Sequence, residues 1–293
     1  MLNFTKMEVK RLFKQKAAYV TLLTMSLIFI AVMVVLHINL ASIKEDTSAI
    51  EKEATSETTD LQPEAKGDSV TVKMEVDDDL DFLTDEDKGE AFIISEYAEA
   101  GVLIFLIIFG SLFFTLPYQH GFIKNFIGLR KDRTGYLGGQ YLSFLIFVFL
   151  SFLVSGALIY IGSYFIQDGF LEIKNHAGVL RLAAVHFYIH CCFMAFLLLV
   201  ATLTKSMAST LSIVLVYAAV LHRALTGIMT TLINKLVTMP ESFHIADYTI
   251  IGNMNRLQWG VDGATINHAL IVATVIALAS LIGSRIILNR SDI

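Results

Sequence analysis

Six apolar runs, almost free of charge and each about as long as a bilayer is thick in helix, leave the chain few folds to choose from. They cover roughly residues 17–38, 94–116, 141–166, 182–204, 207–229 and 266–287. A helix advances about 1.5 Å per residue through about 30 Å of hydrocarbon, so a run of about 20 residues suffices to cross. Inside hydrocarbon every backbone N–H and C=O must find a partner within its own segment, which makes helix the expected state for such runs. The expected fold class is an all-α membrane protein with six transmembrane helices.

Composition agrees, because the charge is segregated rather than scarce throughout. The chain is 55% hydrophobic and 17% charged, against roughly 25% charged for a soluble domain. The first apolar run follows a basic stretch, residues 1–16, and is longer than the core of a cleavable signal, so it reads as a retained span. Cys191 and Cys192 are adjacent within an apolar run, which is no disulfide framework.

Lys and Arg in the connections set the orientation. Lys6, Lys10, Arg11, Lys14 and Lys16 precede the first run; Lys124, Arg130, Lys131 and Arg133 follow the second; Lys205, Arg285 and Arg290 mark the fourth connection and the tail. These alternate ends hold 12 of the 22 basic residues and three acids, Glu8, Asp132 and Asp292. The expected topology is therefore N-in/C-in, multi-pass, in the cell membrane, with 39–93, 167–181 and 230–265 facing outward.

The first external loop (39–93) is acidic, with 17 acids against five bases over residues 40–93. Its first half, 43–60, has too few apolar residues for a core and is expected to be mobile. Val70, Val72, Met74 and Val76 alternate with polar residues and predict a short strand. Thr84 ahead of Asp85, Glu86 and Asp87 reads as a helix N-cap. The run from Asp77 to Asp87 is crowded with acids, but an EF-hand counted from Asp77 would need Gly at Phe82 and Glu at Lys88. It reads as a solvated acidic surface. In the last external loop, Pro240, Gly252, Gly260 and Gly263 predict short interfacial pieces, with Trp259 at headgroup depth.

No G-x-x-x-x-G-K-S/T, H-E-x-x-H or G-x-S-x-G occurs, so neither a phosphate-binding loop nor these hydrolase signatures are available. The chain is not expected to be an enzyme, and no cofactor is expected on it. Residues 1–16 mix Leu2, Met7, Val9, Leu12 and Phe13 with five bases, the pattern of an interfacial helix lying on the inner leaflet of membrane lipid. Its bland alternative is a positive-inside flank.

The second cytoplasmic connection, 118–140, carries the most information. A short amphipathic stretch, Gly121 to Leu129, runs into the charged turn Arg130-Lys131-Asp132-Arg133 and then into the third span. Such a segment is a small projection suited to a groove on a cytoplasmic partner; the alternative is a loop that only fixes topology. With the basic N-terminal helix and the G-x-x-K-N…R-x-x-R-x-x-Y-L-G-G pattern, the chain resembles the permease subunits of type-2 ABC exporters. The resemblance covers the layout of the whole chain, and in residues mainly 118–142. It lacks a proline usually found shortly before the arginine, and Gln140 stands where a lysine is frequent. The resemblance implies a six-span permease domain (17–293), a separate ABC ATP-binding subunit, and a second permease copy or related permease. It implies that Lys124, Asn125, Gly128, Arg130, Arg133 and Tyr136 belong to the contact with the ATP-binding subunit. No nucleic-acid partner is expected.

Three further features stand apart from that pattern. His186 and His190 lie i, i+4 on one helix face and could share a metal, but no third ligand accompanies them, so polar helix–helix contacts are the simpler reading. Arg223 falls inside the fifth run, where a cation needs a partner or water. Glu96 and Glu99 are the nearest acids in apolar sequence, and one of them is expected to pair with Arg223 at a pathway or gate; the alternative is that Arg223 snorkels outward. The expected function is a permease of an ATP-driven exporter moving an amphipathic peptide or a lipid-like compound. The alternatives are a non-transporting sensor or assembly scaffold whose acidic loop binds a ligand, and an intramembrane enzyme using His186, His190 or His222.

Overall fold

The computed structural model describes residues 2–57, 88–98, 101–119, 121, 133–165, 173–236 and 244–290, and every regular element among them is helical. In chain order these are α1 (Leu2–Lys14), α2 (Lys16–Glu57), α3 (Lys88–Ala98), α4 (Gly101–Gln119), α5 (Arg133–Phe165), α6 (His176–Thr204) and α7 (Met207–Val216). After a π-helical turn (Tyr217–Leu221) come α8 (His222–Leu236), a 3₁₀ turn (Ile245–Tyr248), α9 (Ile250–Arg256) and α10 (Gly263–Arg290).

Five helical stretches are long and apolar enough to cross a membrane: Lys16–Val35, Gly89–Gln119, Thr134–Ser163, His176–Thr204 and Gly263–Arg290. The fifth apolar run of the sequence is not straight. Its halves, Met207–Ala219 and Ala224–Ile233, meet at 60°, so the chain has six spans if this pair counts as one. The bend coincides with the π turn, where the N–H of His222 bonds the carbonyl of Tyr217, five residues back, and widens the helix. Before the break α7 packs on α4 and α6; beyond it α8 packs on the 3₁₀ turn instead.

The centre of the bundle is α6, which packs against α4, α5, α7 and most extensively α10. Ala269, Ala273, Ala277, Ser280 and Ser284 are buried along α10, and small side chains at this spacing let two helix backbones approach closely. Only 22% of the most apolar window is buried in α2 and in α10, against 65% in α3–α4 and 61% in α6. The outer two helices thus leave most of their apolar surface to lipid. Between α4 and α5 lies an aromatic cluster, with Phe109 and Phe147 at 4.3 Å and Phe114 and Phe144 at 4.8 Å between ring centroids.

Several boundaries move from their sequence-based positions for local reasons. Helix α6 starts at His176, ahead of residue 182, because the Asn175 side chain accepts from the Gly178 N–H at 2.8 Å and caps the first turn. It stops at Lys205, whose φ of 54° turns the chain into the left-handed region. Helix α2 continues to Glu57, so the acidic loop is helical up to that residue. Its Lys, Glu and Ala are good helix formers, and extending an existing helix avoids a new nucleation. The strand expected at 70–76, the cap at Thr84 and the acidic run from Asp77 to Asp87 lie outside the described residues.

Candidate functional site at the α1–α4–α5 joint

Pro117 sits inside α4. It has no N–H, so the carbonyl of Phe113, four residues earlier, loses its helical donor. Two side chains from distant parts of the chain supply the missing bond. Arg11 Nη2 on α1 donates to Phe113 O at 3.0 Å, and its guanidinium lies 4.3 Å from the centroid of the Phe113 ring. Gln140 Nε2 on α5 donates to Phe114 O at 3.2 Å and to Phe113 O at 3.4 Å. Thr115 Oγ1 back-bonds to Ser111 O at 2.6 Å in the same turns, a contact that favours bending. The turn that Pro117 opens is therefore held by side chains of α1 and α5.

Helix α1 is drawn in by more than Arg11. Glu8 pairs with Arg11 at 2.7 Å and is fully buried. Burial pushes its carboxyl above the usual range, and the Arg11 charge offsets part of the rise. Phe4 meets the Tyr136 ring edge-on at 6.2 Å. The Ser143 hydroxyl donates to Thr5 O at 3.1 Å. A Cβ at Gly139 would stand 2.9 Å from both Phe4 Cβ and the Thr5 backbone N, so only glycine lets the two helices touch there. The amphipathic helix expected over residues 1–16 is present as Leu2–Lys14, and one of its faces is spent on α5.

The joint brackets the connection 120–132: α4 enters it two residues after Pro117, and α5 leaves it at Arg133. Of the residues expected to contact a partner there, Lys124, Asn125, Gly128 and Arg130 lie outside the described residues, as does the side chain of Arg133, which opens α5. Tyr136 is 1% exposed. Its hydroxyl sits close to Arg11 without reaching strict hydrogen-bond geometry. Tyr136 thus faces α1.

At the other end of the bundle the segment 244–262 folds into a cap. His222 Nε2 donates to Thr249 Oγ1 at 2.7 Å, and Thr249 donates in turn to Ala246 O at 2.8 Å while capping the Gly252 N–H at 3.0 Å. Asn253 Nδ2 donates to Asp247 O at 2.6 Å and to Thr249 O at 2.7 Å, and His268 on α10 reaches Asp247 O at 2.9 Å. Trp259 packs over Gly178 in the first turn of α6. Nearby, buried Glu90 of α3 accepts from the backbone N–H groups of Lys174 and Asn175, both at 2.7 Å, where a carboxylate complements the start of α6.

His186 and His190 share a face, as the spacing required. His186 Nε2 donates to Leu257 O at 2.8 Å, tying α6 to the end of α9, and His190 Nδ1 donates to His186 O at 2.8 Å. Among the described residues no group of three His, Cys, Asp or Glu side chains could hold a metal ion. Of the gate residues, Glu96 is half-buried on α3 with Oε2 beside Gly101, while Glu99 and the side chain of Arg223 lie outside the described residues. Helix α3 packs on α4, α5, α6 and α9, and α8 on the π and 3₁₀ turns.

Sequence reading missed Glu8, Arg11 and Pro117 as a unit, and met Gln140 only as a departure from a pattern. The available signal was Pro117 four residues after Phe113, which orphans a carbonyl inside an apolar run; its donors lie too far away in sequence to be named. No protein-family model matches the chain, and a search of curated proteins finds none similar to it.

Proposed function

We propose that the chain is the transmembrane permease subunit of an ATP-driven exporter of the type-2 ABC class, multi-pass in the cell membrane with both termini in the cytoplasm. Separate ATP-binding subunits supply the energy, and a second permease copy or a related permease completes the pathway. The observation that carries this reading is the joint. A basic connection, 120–132, is flanked on both sides by helices clamped to each other and to an amphipathic N-terminal helix. Such a connection delivers a push to three helices at once, as docking on a motor subunit requires; a loop that only fixed topology would need no clamp. The likeness of residues 118–142 to the coupling region of that class supports the same reading. Lys124, Asn125, Gly128, Arg130, Arg133 and Tyr136 then belong to the contact region, with α1 lying along the inner leaflet. The cargo is an amphipathic peptide or a lipid-like compound.

The test is affinity purification of the tagged full chain in mild detergent, with proteins that co-purify identified and the Arg130→Glu/Arg133→Glu variant run beside it. An ATP-binding subunit retained by the native chain and lost from the variant is the expected result. A stable, correctly inserted chain that retains no ATPase would overturn the proposal in favour of a sensor or scaffold.

A further inference from the structure

We infer that the groove between α2 and α5 is a binding site for one acyl chain of a phospholipid, whose phosphate or ester oxygens are held by His37 at the end of the groove. The inference needs only that α2 and α5 cross the bilayer; it does not depend on the permease reading. The groove encloses about 510 Å³, within the roughly 300–1,000 Å³ of small-molecule sites. Each helix lines it with one face. On α2 the stripe is Phe29, Met33 and His37, at i, i+4 and i+8; on α5 it is built around Ile161, Gly162 and Phe165. Phe29 and Met33 are buried, while Ile30, Val34, Ile161 and Phe165 form an exposed apolar rim. A Cβ at Gly162 would stand 3.0 Å from Met33 Cγ, so the two helices touch beneath the rim.

Three features select an acyl chain as the occupant. The first is length: from Phe29 to His37 the stripe rises about 12 Å, less than half of about 30 Å of hydrocarbon. The groove therefore serves one leaflet, whereas a helix of another chain would follow the full depth. The second is polarity. Among the described residues that line the groove, His37 alone has a polar side chain, and it lies two residues beyond Val35, where the apolar stretch of α2 ends. An imidazole N–H there can donate to a phosphate or ester oxygen, while Phe29 and Met33 on the same stripe meet the hydrocarbon. The third is the rim. Helices associate in lipid through small side chains that let backbones approach, and the rim consists of Ile30, Val34, Ile161 and Phe165. Gly162, its one small residue, is already covered by Met33. A second copy of the chain is therefore the poorer fit.

The test is photolabelling of the full chain in phosphatidylcholine vesicles that contain a trace of phosphatidylcholine with a diazirine midway along one acyl chain. Ile271 and Val275 on α10, at 64% and 60% exposure, set the level of chance collision, because Ile30, Val34 and Ile161 are less exposed, at 46%, 51% and 54%. Labelling of the groove residues is expected to exceed that level several-fold. Val34→Trp fills the groove from its exposed rim and should bring labelling at Ile161 down to the α10 level; Ile161→Trp does the same from α5 if Val34→Trp fails to fold. His37→Leu should abolish the excess for the phospholipid but not for a diazirine-bearing alkane, which has no head to hold. Equal labelling of the groove and α10 in the native chain would overturn the site, and an unchanged phospholipid excess in His37→Leu would overturn the role of His37. Benzoylphenylalanine at position 161 is expected to capture lipid; capture of a second copy of the chain would assign the groove to a protein interface instead. None of these readouts involves an ATP-binding subunit, so the site and the permease reading stand or fall separately.

Discussion

The joint and the cap, at opposite ends of the bundle, are both held by polar contacts, yet they are assembled on different scales. In the cap His222 and Thr249 are 27 residues apart, Asp247 and His268 21, and Asn253 and Asp247 six. In the joint Arg11 reaches Phe113 across 102 residues and Ser143 reaches Thr5 across 138. These internal bonds of the cap need only residues 222–268, while Leu257 and Trp259 tie it to α6. The joint exists only when the N-terminal helix, the end of α4 and the start of α5 have come together. A disturbance in the cap should stay local, whereas one in the joint should be felt by every helix it connects. The joint also encloses an ion pair with a fully buried carboxylate, while the cap's corresponding pair, Arg256 and Asp247, has its arginine 45% exposed.

The largest expected effect comes from breaking that buried pair. Arg11→Met removes the guanidinium from Glu8, from the Phe113 carbonyl and from the Phe113 ring at once. Removing one partner of a buried pair costs about 3–5 kcal/mol, and the low end applies because Glu8 can neutralise itself by taking up a proton. Thermal unfolding in detergent should show a loss of about 3 kcal/mol, with hydrogen exchange accelerated in α1, α4 and α5 together. Faster exchange confined to α1 would mean that the joint is no more than a local attachment.

Next in size is Gly252→Ala in the cap. The added methyl would collide with the Ala246 carbonyl oxygen, a backbone atom that cannot rotate away. Overpacking of this kind costs about 1–3 kcal/mol. Faster exchange should appear in residues 244–257 and leave α1 and α5 at native rates. Spread of the effect to α1 would erase the distinction between the two ends.

The same contrast of scale governs what was legible in the sequence. Spans were legible because burial in lipid writes itself into runs of about 20 residues, and five of the six became helices of the expected kind. The bend at Tyr217–Leu221 was not legible, since that stretch is as apolar as its flanks and carries no Gly or Pro. It arises from what each half packs against, α4 and α6 before the break and the 3₁₀ turn after it. The amphipathic N-terminal helix was readable from its own residues; that Glu8 and Arg11 turn inward was not, because their position depends on a proline more than 100 residues away. The packing of Tyr136 against Phe4 was likewise not legible, since 132 positions separate them in the sequence.

A smaller change tests how the cap is wired. Thr249→Val keeps the shape of the side chain and removes the hydroxyl that receives His222 and caps Gly252. Loss of an N-cap costs about 1 kcal/mol, and the severed link to His222 should appear as faster exchange at the start of α8. Unchanged exchange in α8 would mean that packing on the 3₁₀ turn, not this hydrogen bond, holds the bent half in place.

Glu8→Gln should have the smallest effect at neutral pH, and the opposite sign to Arg11→Met. Burial raises the Glu8 carboxyl above its reference value of 4.5 by more than Arg11 lowers it, so the folded state prefers the proton more than the unfolded state does. A group of this kind gives its full stabilisation below about pH 4.5 and loses it as the pH rises through the higher folded value. The native chain should therefore lose stability from pH 4.5 upward until Glu8 is ionised, and Glu8→Gln should remove that slope. At neutral pH the glutamine is already neutral and avoids the cost of burying a charge, so the variant should match the native chain or slightly exceed it. A melting profile from pH 4 to 8 on both proteins decides the point. If Glu8→Gln proves strongly destabilising at pH 7, attraction to Arg11 outweighs burial, and the joint is held by its ion pair more than by the carbonyl that Pro117 leaves open.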